Sequence, residues 1–143
     1  MPHHFAQLRA GDVVFKTGEV INAAGIGVLA AINARKVLSY PKLRVAMLST
    51  GDELVIDGSE LKPGQIRESN LTMLSAMISA TGCEVINLGI VADDEAILES
   101  KLREVSAHCD AIVTSGGVGQ GDFDVVKIVL SRIADMKWMQ MAI

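Results

Sequence analysis

Two segments hold the residue types that phosphate and metal chemistry requires. Thr50-Gly51-Asp52-Glu53-Leu54 closes one apolar run, and Ser115-Gly116-Gly117-Val118-Gly119-Gln120-Gly121-Asp122-Phe123-Asp124 closes another. Glycines at 116, 117, 119 and 121 leave the backbone free to take positive φ and to approach an anion closely. A helix starting directly afterwards would present unpaired N–H donors and the positive end of its dipole. A tight strand-to-helix turn without a ligand would use the same glycines, so the acids decide. Asp122 and Asp124 would repel a bare phosphate but suit one that shares a hard cation with them. Magnesium takes one or two protein carboxylates and leaves its other positions to water and substrate phosphate. Glu53 with Asp124 is the candidate pair, with Asp52 alongside.

A third acidic loop, Asp93-Asp94, lies between an apolar run and a helical pattern. Read alone, a helix cap with a first-turn acid accounts for it. Asn70 likewise reads most simply as a cap, and Lys127 lies one turn past the glycine loop. No Ser/His/Asp arrangement is present, and no GK[ST] follows the glycines, so this is not a Walker loop.

The elements that must position these loops follow from periodicity. Residues 11–15 and 17–21 read as two short strands around a turn, after which Asn22 caps a small-residue helix over 23–34. Tyr40-Pro41 breaks that unit from the rest. Then strand, loop and helix repeat: a strand over 44–49, a long loop with Asp57-Gly58 and Pro63-Gly64, and a helix from Ser69-Asn70 stopped by Gly82. A strand over 83–91, a helix to about 107, a strand over 110–115 and a helix near 124–133 come next. Residues 136–143 are read as a fourth strand. This order predicts an α/β fold, a three-layer αβα sandwich with a mostly parallel sheet, preceded by a short β/helix segment. All three acidic loops then leave strands at one edge, the carboxyl edge, where open α/β sheets bind ligands.

Composition agrees. Half of the 143 residues are hydrophobic and only 3% aromatic, which suits an aliphatic core around a parallel sheet and disfavours an aromatic platform for single-stranded nucleic acid. The formal charge of −4, without a basic cluster, argues against an electrostatic grip on DNA or RNA. Cys83 and Cys109 stand singly and read as buried reduced thiols. No run is apolar and long enough to span a membrane, so no membrane partner and a cytoplasmic setting are expected.

Several ordered motifs carry a resemblance to a known family. They are Ser49-Thr50-Gly51-Asp52-Glu53-Leu54, Pro63-Gly64-Gln65-Ile66 with Ser69-Asn70, Gly82-Cys83-Glu84-Val85, Gly89-Ile90-Val91-Ala92-Asp93-Asp94, and Ser115-Gly116-Gly117-Val118 ending in Asp124. From about Gly11 onward the chain resembles the MoeA-type molybdopterin molybdenumtransferases, whose central domain has the MogA-like fold. The resemblance implies a molybdopterin-binding domain over residues 41–143, with residues 1–40 connecting from a preceding domain. It implies Mg²⁺-dependent cleavage of adenylylated molybdopterin, insertion of molybdate at its dithiolene sulfurs, and release of AMP. By position, Glu53, Asp93 and Asp124 match the family's acidic active-site residues, with Glu53 and Asp124 toward the metal. Thr50, Gly51, Asp52, Asn70, Ser115, Gly116, Gly117, Gly119 and Asp122 fall on the substrate-binding side. A homodimer is implied for the full-length protein.

Departures sharpen the expectation. The family's third loop reads Gly-Gly-Val-Ser, whereas this chain has Gly119 at the serine position. Gln140 occupies a position that is lysine in some relatives, and a lysine- and proline-containing loop of the family follows the point where this chain stops. A truncated domain, inactive or weakly active alone, is the resulting expectation. A MogA-like molybdopterin adenylyltransferase is the alternative enzyme, and a non-catalytic nucleotide-binding or assembly module is the alternative from another class.

Overall fold

The computed structural model describes residues 8–116, 124–137 and 139. The chain divides into two compact units, residues 1–40 and residues 41–143.

In the first unit, helix α1 spans Ala23–Ala31, and the side chain of Asn22 caps it by accepting from the Gly25 N–H at 2.9 Å. The helix stops three residues short of the expected Ala34. Asn33 takes a left-handed φ of 58°, and the Ala34 N–H turns back to the Leu29 carbonyl at 2.9 Å. Asparagine is the residue besides glycine that most readily closes a helix this way. The two short strands expected over 11–15 and 17–21 do not form among the described residues. Their turn is present, with Glu19 N–H donating to the Lys16 carbonyl at 3.1 Å, but no ladder follows it. An isolated two-stranded hairpin is marginal in water, and alternation alone cannot supply its missing neighbour.

In the second unit, β1 (Arg44–Thr50) is followed by the short strands β2 (Leu54–Val55) and β3 (Ile66–Arg67). Helix α2 (Asn70–Ala80), strand β4 (Glu84–Val91), helix α3 (Glu95–Ser106), strand β5 (Ala111–Ser115) and helix α4 (Val125–Ile133) complete it. The main sheet is parallel with order β4-β1-β5. As the central strand, β1 is buried from Val45 to Thr50. This burial on both faces explains why its sequence is a continuous apolar run rather than an alternating one.

Side-chain alternation along β1 assigns the layers. Leu48 packs with Val91, Leu98 and Leu102 of the α3 side and with Val126 and Val129 of α4. The next residue, Ser49, faces the opposite way and donates to the Glu68 carboxylate just before α2, which packs on β1 and β4. Helices therefore cover both faces, as the order of elements requires.

Three features of this unit depart from expectation. The long loop after β1 contains the parallel β2–β3 pair, joined by Leu54 opposite Ile66 and Val55 opposite Arg67. Two-residue strands leave no periodicity to detect, so the sequence could not announce them. The expected fourth strand is absent at Met136, Lys137 and Met139, and its remaining residues lie outside the described ones. In β4 a bulge interrupts the register: Met47 pairs with Asn87 but Ser49 pairs with Ile90. Gly89, at φ 74°, sits inside it, and its N–H is held by the Asn87 side chain at 2.8 Å. As a result Leu88 and Val91, three residues apart, both pack against the α3/α4 cluster.

Candidate functional site

The carboxyl ends of β1, β4 and β5 lie side by side, and their loops carry most of the residues singled out from the sequence. Thr50 is buried at the end of β1. Gly51 follows at φ 145°, and a Cβ there would lie 2.7 Å from the carboxylate of Glu53, which folds back over it. The Glu53 carbonyl is held by the Ile66 N–H at 2.9 Å, so the β2–β3 pair anchors this loop from outside. Asp52 and Glu53 keep their side chains exposed.

One strand over, Asp94 and Asp93 take different parts. Asp94 is the cap of α3, its carboxylate accepting from the Ile97 N–H at 2.9 Å. Asp93 is thereby released from capping, and its N–H makes a long 3.4 Å contact to Asp52 Oδ1. Partial desolvation pushes the Asp93 carboxyl above the usual carboxylate range. The negative charges of Asp52, Glu53 and Asp124 push the same way, and a hydrogen bond from the Asp52 backbone opposes them. Four carboxylates from three loops therefore share one electrostatic neighbourhood.

On the other side of β1, Gly116 takes φ 86° and passes directly over Thr50, where a Cβ would come within 2.2 Å of the Thr50 carbonyl oxygen. Asn70 is not the cap it was expected to be. Ser69 occupies the cap position of α2, and Asn70 Nδ2 instead donates to Ser115 Oγ at 2.9 Å, tying the α2 start to the end of β5. Asp124 holds the cap position of α4, but its side chain makes no cap hydrogen bond among the described residues. Gly117, Gly119 and Asp122 lie outside the described residues.

Two buried side-chain oxygens at this edge, Thr50 Oγ1 and Asp124 Oδ1, have no hydrogen-bond partner among the described residues. Orphaned buried acceptors are costly and rare. No three acidic, histidine or cysteine side chains form a ready-made metal cage among the described residues. The donor set fits a magnesium ion that takes one or two carboxylates and completes its shell from phosphate and water. Sequence reasoning passed over Glu68, a carboxylate only 9% exposed whose Oε1 accepts from Ser49 Oγ at 2.9 Å and from the Leu71 N–H at 2.7 Å. Its position just before a helix start was the one available signal.

Fold and site together define an α/β domain that presents clustered acids and close-packed glycine turns at the carboxyl edge of a parallel sheet. Residues 46–142 match the family described as "probable molybdopterin binding domain", and the chain belongs to that family. It is 35% identical over 136 residues to the molybdopterin molybdenumtransferase of Haemophilus influenzae and 39% identical over 128 residues to that of a Nostoc species. These matches cover 95% and 90% of this chain but 34% and 29% of the relatives, so the chain spans about a third of their length. A crystal structure of a molybdopterin biosynthesis MoeA protein from Pyrococcus horikosii superposes with a TM-score of 0.68 at 34% identity, over 83% of this chain and 29% of that one. The tungsten cofactor synthesizing protein MoaB from Pyrococcus furiosus, at 19% identity and a TM-score of 0.51 over 66% of this chain and 54% of that one, shares the fold.

Proposed function

We propose that this domain binds adenylylated molybdopterin with Mg²⁺ and contributes the acidic and phosphate-binding half of a molybdopterin molybdenumtransferase, which inserts molybdate and releases AMP. The observation that carries this reading is the convergence of Asp52, Glu53, Asp93 and Asp124, with Asp124 Oδ1 buried and unpartnered and Gly116 packed on the Thr50 carbonyl. The names of the relatives supply the substrate class.

Glu53 and Asp124 would hold the ion, which when bound neutralises negative charge on the cleaved phosphate. The rest of the work falls to the chain. Gly51 and Gly116 allow main-chain atoms to approach the phosphates, and Ser115, oriented by Asn70, presents its hydroxyl at the same edge. Asp93, held above the ordinary carboxylate range, is suited to carry a proton to or from the leaving phosphate. A cytoplasmic, homodimeric full-length protein accompanies this proposal.

Calorimetry of the chain with AMP in the presence and absence of Mg²⁺ is the first test. Metal-dependent binding supports the site, and no binding to this chain or to a full-length protein containing it rejects it. With full-length protein, AMP release from adenylylated molybdopterin should require molybdate. Formation of the adenylylated pterin from ATP would instead favour an adenylyltransferase.

A further inference from the structure

We propose that Glu68 is a positioning residue that holds the carboxyl ends of β1 and β5 in place, at Thr50 and at Ser115-Gly116; the inference rests on the site proposed above. Carboxylates are almost never buried this fully unless paired, and no cation pairs with Glu68 among the described residues. Its Oε1 instead takes two hydrogen bonds from different elements, the Ser49 hydroxyl of β1 and the Leu71 N–H of α2.

Each bond leads on to the site. Ser49 precedes Thr50, whose carbonyl lies against Gly116. Leu71 follows Asn70, whose side chain holds Ser115. The Glu68 N–H also donates to the Val55 carbonyl at 3.0 Å, within the same β2–β3 pair that anchors Glu53. Glu68 is thus linked to Thr50 through Ser49, to Ser115 through Leu71 and Asn70, and to the β2–β3 pair that holds Glu53 through its own N–H.

Stability alone does not account for this choice. Ser69 stands at the cap position of α2, is a preferred capping type, and makes no side-chain cap bond. Glu68 caps the helix in its place and reaches β1 as well, at the cost of leaving its Oε2 buried and unpartnered. Local rules are broken in this way where geometry at a functional site matters more than local stability.

The test uses the whole 143-residue chain, with amide NMR shifts and calorimetry against AMP and Mg²⁺. In Glu68→Ala the amides of Ser115 and Gly116 should shift although neither touches Glu68, and AMP affinity should fall by about tenfold or more. Glu68→Gln retains an acceptor oxygen and should recover most of that affinity. Ser49→Ala severs the β1 link while leaving the α2 cap, and should shift the same amides if Glu68→Ala proves too unstable to study. Lowered Tm with unchanged Ser115 and Gly116 amides and unchanged affinity would overturn the proposal. If the wild-type chain binds no AMP, the proposed site fails, while the two amide shifts still decide the role of Glu68.

Discussion

Gly116 lies against the main-chain carbonyl of Thr50, so closely that a methyl group on it would sit 2.2 Å from that oxygen. The ends of two neighbouring strands are locked together by the absence of a side chain. Thr50 is buried beneath this contact with its hydroxyl unpartnered, and Gly51 continues into the acidic turn. The contact fixes how closely the end of β5 approaches the end of β1, where the acidic turn begins.

Substituting Gly116 by alanine should therefore disturb the fold as well as the site. Positive φ and a backbone clash together are expected to cost at least about 2 kcal/mol in urea denaturation. Gly51→Ala differs in kind, because its Cβ would meet the movable Glu53 carboxylate rather than backbone. Beyond the conformational cost of its φ, it should displace Glu53 and reduce Mg²⁺-dependent AMP binding. Equal binding losses at equal stability losses would contradict this distinction.

Asp93 and Asp94 should separate cleanly. Asp94→Ala removes the α3 cap and is expected to lower stability by about 1 kcal/mol with little change in AMP affinity. Asp93→Ala should keep the helix and weaken binding by about tenfold. The pattern reversed would show that Asp93 is structural.

The raised pKa of Asp93 gives a pH signature. Folding disfavours its ionised form, so its ionisation removes stability as pH rises through the elevated folded value. Asp93→Asn should accordingly raise Tm at neutral pH, and the gain should vanish as pH falls below the ordinary value of 3.8, where the residue is protonated whether folded or not. Adding Mg²⁺ should narrow the gap by offsetting the neighbouring carboxylates. Thermal melts across pH, with and without the metal, measure both effects.

Glu53→Gln and Asp124→Asn should abolish the Mg²⁺ dependence of AMP binding while leaving the circular dichroism spectrum intact. Because Asp124 Oδ1 is a buried acceptor without a partner, Asp124→Asn should not destabilise the chain in metal-free buffer. A large loss of stability there would point to a structural role.

The sheet and its main helices were legible because their signals are local and strong. The buried run of β1, the Asn22 cap, and the 69–70 start and Gly82 stop of α2 all follow from residue type and period. The three acidic loops could be placed at one edge from strand order alone. What stayed hidden depends on contacts across the sheet. Nothing in the spacing shows that Asn70 reaches Ser115 instead of capping, or that Asp94 rather than Asp93 takes the cap. Glu68 was invisible for the same reason, since its partners lie 19 residues back and 3 residues ahead. The opposite error occurred at residues 11–21, where a pattern suited to strands had no ladder to join.

The bulge at Gly89 has a consequence for how this chain tolerates change in length. A strand counts in twos, and the extra residue between Asn87 and Ile90 resets that count before the chain reaches Asp93. Losing any one residue from this stretch would keep every catalytic candidate in the sequence. It would nonetheless turn Val91 away from the α3/α4 core and carry Asp93 to the wrong side of the edge. Substitutions at Ile90 should thus be absorbed far more readily than a single deletion, so that here the number of residues matters more than their identity.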